Sequence, residues 1–493
     1  MTFASIEFLI LFLVVLALLL VVQRILPIKE KARQQLGHFI LLVASYIFYG
    51  WWDARFCTLL LGVTFIAFFS AKKKDVTHLG LSRIYLLIGV GTPLAVLALF
   101  KYFDFFVDSF CNLFQIEASP ALGLILPVGI SFYTFQALSY TIDVYNGRIE
   151  KEKSLIHFAL YIGFFPQLVA GPIVKASEFL PQLMERRFVT GKRLAEGIQI
   201  FVFGMFKKVV LADNLSVYVD EVFRTPSVFG SGTVLLAVVS YAIQIYMDFS
   251  GYSDMAIGCA KCLGYDLNKN FNLPYLSQNV SEFWKRWHIS LSTWLQQYLY
   301  IPLGGNRKGE VRTYVNLMLT MLLGGLWHGA DWTFVLWGGL HGAALCVHKF
   351  YLKKFHKDKT GSVHGVVRFA NIVLTDIFVC FCWIFFRAGS MEEAGLVLRQ
   401  LFSFRTGVTH IYSWSIVALI LVIVATFAAM IRHRSIQKEQ SDKNRTAAGF
   451  WIDGYYPVLN LNRFWSLVAF FVEIGLILGL AYVQGSPFIY FQF

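Results

Sequence analysis

The stretch Tyr314–Gly342, YVNLMLTMLLGGLWHGADWTFVLWGGLHG, decides the fold. It holds two apolar runs parted by a short turn, His328, Gly329, Ala330 and Asp331. A helix crossing the roughly 30 Å hydrocarbon layer needs about 20 apolar residues. Two runs near that length with so little chain between them read as a membrane hairpin, with spans at 312–328 and 331–348.

Outward from the hairpin the pattern repeats. Further spans are expected near 6–23, 37–52, 56–71, 84–100, 121–143, 196–212, 232–258, 369–386, 413–431 and 464–484. Several fall short of about 20 residues, so tilt or extension into loops is expected. The composition agrees: of 493 residues, 57% are hydrophobic and 15% charged, where soluble domains carry about 25% charged. The first run, Phe8–Val22, follows no Lys or Arg and precedes no small-residue cleavage site. It therefore reads as a retained span rather than a signal peptide.

The net charge of +13 is placed in loops. Arg24, Lys29, Lys31 and Arg33 follow the first span; Lys72, Lys73, Lys74 and Arg83 follow the third. Lys349, Lys353, Lys354, Lys357 and Lys359 follow the ninth, and Arg432, Arg434, Lys438, Lys443 and Arg445 the eleventh. All fall on one side, expected to be the cytoplasm, which leaves both termini outside. This charge sets topology, and no nucleic-acid motif accompanies it, so no nucleic-acid partner is expected.

Two regions depart from simple spans. In Leu155–Leu183, basic residues flank both ends while Pro166, Gly171 and Pro172 break the helix. Non-helical backbone at membrane depth survives only where protein buries it or water reaches it, so a re-entrant segment beside a cavity is expected. In the second region Asn279 and Glu282 resemble a capping box that starts a helix. Trp284, Trp287 and Trp294 then alternate with Lys285, Arg286 and His288, the composition of an interfacial helix. The following loop, Gly304–Gly309, includes Asn306 and Arg307. It could cradle donor phosphates or be a solvated positive turn.

Ionisable groups inside a membrane cost about 2.5–3.5 kcal/mol on insertion scales and mark pathways or partners. His328 ends one such span, bracketed by Gly324, Gly325 and Gly329. Its imidazole suits proton transfer near neutral pH, and Trp327 or Asp331 could orient it. A satisfied core histidine is the bland alternative. A metal site of His328, His341 and His348 is not expected, because the intervals do not align them on one helical stripe with a carboxylate. Asp248 and Asp254, beside Ser250 and Gly251, could line a funnel or pair between helices, as could Asp143, Lys207, Lys208, Asp376 and Glu473. Cys259 and Cys262 form a C-x-x-C without a second pair and read as buried structural thiols. No P-loop, nucleophile elbow or H-E-x-x-H is present.

Four motifs in order resemble the bacterial branch of the membrane-bound O-acyltransferase family: LPVGISFYTFQALSYTIDVY (126–145), FFPQLVAGPI (164–173), FWKRWHISLSTWLQQYLYIPLGGNR (283–307) and LGGLWHGADWTFVLWGGLHG (323–342). The likeness is stronger to members that O-acetylate alginate than to the shorter teichoic acid D-alanyl transferases. It implies an all-α integral membrane protein, a ring of about 11–12 spans with re-entrant and interfacial helices around a central funnel. One polytopic domain, 1–493, would comprise N-terminal spans 1–110, a family core at about 120–350 and C-terminal spans 365–485. The family's catalytic histidine matches His328 and its second signature histidine His288.

The resemblance further implies no bound cofactor. The donor would be acetyl-CoA, or another acyl thioester such as an acyl carrier protein, on the cytosolic side. The acceptor would be a polysaccharide outside a bacterial cell membrane, reached through an extracytoplasmic acetyltransferase- or esterase-like partner. His328 would be the general base at the neck of a two-sided pore. His288 would position the donor or polarise its carbonyl, with Trp327, Asp331, Trp287, Arg286, Asn306, Arg307 and Asp248 as substrate contacts. D-alanyl transfer, a transporter or flippase, and a non-catalytic scaffold are the rival readings.

Overall fold

The computed structural model describes residues 1–75, 77–116, 121–185, 189–355, 365–424, 451–452, 456–482 and 488–489. The regular structure of the described residues is helical apart from one antiparallel pair of two-residue strands, Trp451–Ile452 and Tyr456–Pro457, and an isolated parallel bridge between Phe229 and Val408. Two compact units are formed, Met1–Ile198 with Met255–Asn268, and Gln199–Asp254 with Lys269–Phe493.

By length and composition alone four described helices can cross a membrane: Ile6–Arg24, Leu79–Phe114, Ser231–Cys262 and Gly365–Arg387. Phe56–Ser70, Ser413–Val424 and Phe464–Leu480 are shorter apolar helices. The other expected spans are helical, but polar residues dilute them. Burial separates two kinds of span. The most apolar window of Ile6–Arg24 is 22% buried inside the protein, that of Ser231–Cys262 72%. The first offers its Leu, Ile and Val side chains to lipid. The second is walled by protein, which lets it carry Asp248 and Asp254.

In the first unit the span expected at 121–143 begins only at Ile130. Pro127 offers no N–H to a helix, and Gly129 takes φ +77°. A Cβ there would stand 2.7 Å from the Leu168 carbonyl oxygen, so the crossing of the two chains requires glycine. The span expected at 84–100 is part of a 36-residue helical segment, Leu79–Phe114, with a π turn at Ala98–Tyr102.

The interrupted segment is confirmed as Leu155–Gly163, one turn at Phe165–Leu168, an extended stretch and Ala176–Met184. Protein buries it, and side chains answer its loose backbone groups. Ser45 Oγ accepts from Phe165 N at 3.1 Å, Gln167 Nε2 donates to the Tyr161 carbonyl at 2.7 Å, and Tyr161 OH donates to that of Val174 at 3.1 Å. Cys259 and Cys262 are buried free thiols, Cys262 donating to the Leu194 carbonyl. Asp143 pairs with Arg148 at 2.9 Å.

In the second unit the span expected at 196–212 runs on to Arg224 through a π turn at Phe206–Ala212. Met391–Phe402, unexpected from hydropathy, is a helix capped by Ser390, whose hydroxyl accepts from Glu393 N at 3.1 Å. The last residues of the span expected at 413–431, the charged loop after it, and Lys357 and Lys359 lie outside the described residues.

The opening hairpin is Glu310–His328 packed on Trp332–Phe355. Glycine sets its closeness. A Cβ on Gly325 would lie 2.3 Å from the Phe334 carbonyl, and one on Gly338 2.3 Å from that of Met321. Small residues at such crossings let helix backbones touch and gain packing that lipid cannot supply. Of the glycines around His328, Gly325 therefore serves the hairpin's backbone crossing, Gly329 makes room for the Phe334 ring and Gly324 faces the Leu295 side chain.

Candidate active site

His328 closes its helix at the hairpin turn and is 4% exposed. Its ring meets Trp327 at 5.0 Å between centroids, Trp337 at 5.1 Å and Phe386 at 5.3 Å, all edge-on. The His288 ring lies 6.2 Å away, between Phe249 at 4.7 Å and Trp327 at 5.9 Å. The two signature histidines, 40 positions apart in sequence, thus share one aromatic enclosure within the second unit.

The expected single interfacial helix is two short ones, Val280–Arg286 and Ile289–Leu295, broken at Trp287–His288. Asn279 caps the first, accepting from Glu282 N at 2.9 Å, while the Glu282 carboxylate reaches back to Gln278 N instead of to Asn279. His288 takes the left-handed conformation, φ +41° and ψ +56°. That region costs a non-glycine residue about 1–2 kcal/mol. Asn270 offsets the cost. Its carbonyl accepts from Ile289 N at 2.9 Å. Its Oδ1 accepts from Ser290 N at 3.2 Å and Ser290 Oγ at 2.9 Å, and lies 3.1 Å from His288 Nδ1. Burial holds the His288 imidazole well below its ordinary value, at about 3. It is neutral at physiological pH.

The remaining expected contacts divide. Trp327 lies against both histidines. Trp287 is buried in an aromatic core with Phe271, Phe283 and Trp383. Arg286 holds Glu282 at 2.8 Å and donates to the Asn272 carbonyl at 3.1 Å, pinning the strained turn. Asp331 caps the next helix through Thr333 N at 2.7 Å. Asn306 accepts from Tyr300 OH at 2.5 Å and from Lys349 Nζ, whereas Arg307 is exposed in the same loop. Asp248 is buried against Lys208 at 2.6 Å and accepts from Ile489 N at 2.8 Å. Lys208 also holds Asp213, and Lys207 holds Asp254 at 2.5 Å. These carboxylates act between elements of the unit, the pairing alternative to a funnel lining.

Among the residues around the two histidines that escaped the sequence reading are Asn270, Trp337 and Phe386. Asn270 sits among Asn268 and Asn272, a turn-forming run, but no spacing rule ties it to a histidine 18 positions on. Trp337 and Phe386 looked like ordinary span residues. His341 is fully buried and accepts from Trp284 Nε1 at 3.3 Å through Nδ1. Indole can only donate, so the His341 proton sits on Nε2. Among the described residues no cluster could hold a metal ion.

The family model for MBOAT, the membrane-bound O-acyltransferase family, matches residues 148–382. That range contains three of the four motifs, His288 and His328. The probable alginate O-acetylase AlgI of Pseudomonas putida is 37% identical, covering 100% of both chains. The peptidoglycan O-acetyltransferase of Helicobacter pylori is 40% identical over 73% of this chain and 73% of its own length. The teichoic acid D-alanyltransferase of Bacillus subtilis is 26% identical over 53% of this chain and 69% of its own. A membrane-embedded acyltransferase is thereby defined. The chain belongs to the membrane-bound O-acyltransferase family.

Proposed function

We propose that the protein moves an acetyl group from a cytosolic thioester, acetyl-CoA or an acetylated carrier protein, to a hydroxyl of a polysaccharide outside a bacterial inner membrane. The observation that carries this reading is His328, buried at the hairpin turn in an aromatic enclosure with a second histidine 6.2 Å away. A hydroxyl is a weak nucleophile, and a neutral imidazole at that position can take its proton as the oxygen attacks the thioester carbonyl. The carbon–sulfur bond then breaks, and the leaving thiolate recovers the proton from the imidazolium. The aromatic rings exclude water that would otherwise hydrolyse the donor. The O-acetylating relatives favour acetyl over D-alanyl, being 37% and 40% identical against 26%. An esterase-like protein on the outer face would present the polysaccharide to the site.

The test is acetyl transfer from radiolabelled acetyl-CoA in proteoliposomes holding the purified protein and an acceptor glycan. Wild type should label the glycan covalently, and His328→Ala should lose about 10²–10⁴-fold while inserting normally. Unchanged transfer by that variant refutes the assignment. Uptake of label without covalent transfer would favour a transporter.

A further inference from the structure

The Asn270 side chain has a definite orientation. Its Oδ1 faces the backbone N–H of Ser290, which can only donate; turning the amide over would set donor against donor. Oδ1 is therefore the acceptor of everything around it, and the group 3.1 Å away on His288, Nδ1, must supply a hydrogen. The proton of the neutral His288 ring is thus on Nδ1, and its Nε2 carries a lone pair. A carbonyl oxygen cannot be bound by that atom, because both would be acceptors.

We infer that Asn270 is a positioning residue that locks His288 as its Nδ1–H tautomer, so that His288 offers Nε2 as a hydrogen-bond acceptor to a substrate O–H or N–H instead of polarising the acyl carbonyl. The ligand chemistry is a donor group: the acceptor's hydroxyl, or an amide N–H of a pantetheine arm. This deepens the acyl-transfer reading and rests on it for the identity of the substrates. The left-handed backbone at His288 supports the inference, since the strained turn is held onto one side chain by His288 Nδ1 and by the N–H and hydroxyl of Ser290, and the ring is thereby aimed.

Few charges compete for control of the ring. His328 is the titratable group in ring contact with it. On the Ser231–Cys262 helix, Asp248 and Asp254 flank Phe249 and Ser253, and both are held by lysines. Arg286, two residues before His288, is held by Glu282, and Lys269 beside Asn270 is exposed.

Asn270→Asp separates this role from a structural one. The carboxylate still accepts from Ser290 and from Nδ1, so the turn is kept, but its charge favours the imidazolium and puts a hydrogen on Nε2. The acid limb of the kcat profile should move up by about one to three pH units, with activity recovering at high pH. Asn270→Ala should lose activity at every pH. The tautomer itself is read, whatever the activity, from nitrogen NMR of histidine-labelled full-length protein with His288→Gln to assign the signal. A protonated Nδ1 and bare Nε2 at pH 7 are expected. A protonated Nε2, or an Asn270→Asp profile that superimposes on wild type, overturns the inference. Inactive wild type with the expected tautomer would refute the acyl-transfer reading alone.

Donor and acceptor arms are distinguished by kinetics. In Asn270→Asp below the midpoint of its own acid limb, a raised KM for the glycan with that for acetyl-CoA unchanged assigns the hydroxyl, and the converse assigns the pantetheine amide. Equal KM values for both, with kcat also unchanged, would count against substrate contact.

Discussion

Gly338→Ala tests whether the hairpin's closeness places the histidine. A methyl at Gly338 would stand 2.3 Å from the Met321 carbonyl oxygen, against ordinary contact from 3.4 Å. The helices must part by about 1 Å at that crossing, because the opposing atom is backbone and cannot rotate away. Overpacking of this kind costs about 1–3 kcal/mol. Trp337, the next residue, lies edge-on to His328 at 5.1 Å, so the opening is passed to the base. A displacement of about 1 Å at a reacting group can lower a rate about 10²-fold. Gly339→Ala is the matched control, since its methyl would meet only Leu322 Cδ2 at 3.5 Å. Both variants add one methyl to adjacent positions of one helix. Thermal unfolding in detergent and acetyl transfer in proteoliposomes would be measured together. Gly338→Ala should lose stability and rate while Gly339→Ala stays near wild type. Equal behaviour of the two would refute the argument that backbone contact positions the site.

Two further outcomes follow from the buried histidines. Trp284 Nε1 donates to His341 Nδ1, so His341→Asn, whose amide oxygen reaches the Nδ1 place as an acceptor, should keep more transfer activity than His341→Gln, whose amide reaches the Nε2 place; the reverse order would contradict the Trp284 hydrogen bond. His288 has a folded value near 3 against 6.5 for a free side chain. The unfolded state binds the extra proton between those values, so stability is complete above pH 6.5 and falls as pH drops toward 3. The slope contributed is about 1.4 kcal/mol per pH unit, and His288→Gln should flatten that part of a melting-temperature profile.

Much of the fold was legible because a bilayer imposes a length and an apolar composition on whatever crosses it. Hydropathy found the hairpin and the long helix 231–262 nearly to their ends. It failed where polarity or chain reversal intervened. The span expected at 121–143 was trimmed by Pro127 and by the approach of Leu168 to Gly129, a contact between segments far apart in sequence. The helix 280–295 was split at His288 by Asn270, and no local propensity announces a side chain that grips the backbone from another loop.

By itself, then, the sequence determined an all-α membrane chain, the hairpin at 314–342 and two histidines in motifs specific enough to name a family. Each is a local property: apolar length, a short turn, residue identity in order. Only the tertiary structure decided that His288 and His328 share one enclosure, that Gly325 beside His328 serves a backbone crossing, and that Asp248 answers Lys208. It also decided which nitrogen of each buried imidazole, His288 and His341, holds the proton. Those are properties of neighbours brought together by folding, and a ring's chemistry is set by what its other nitrogen touches.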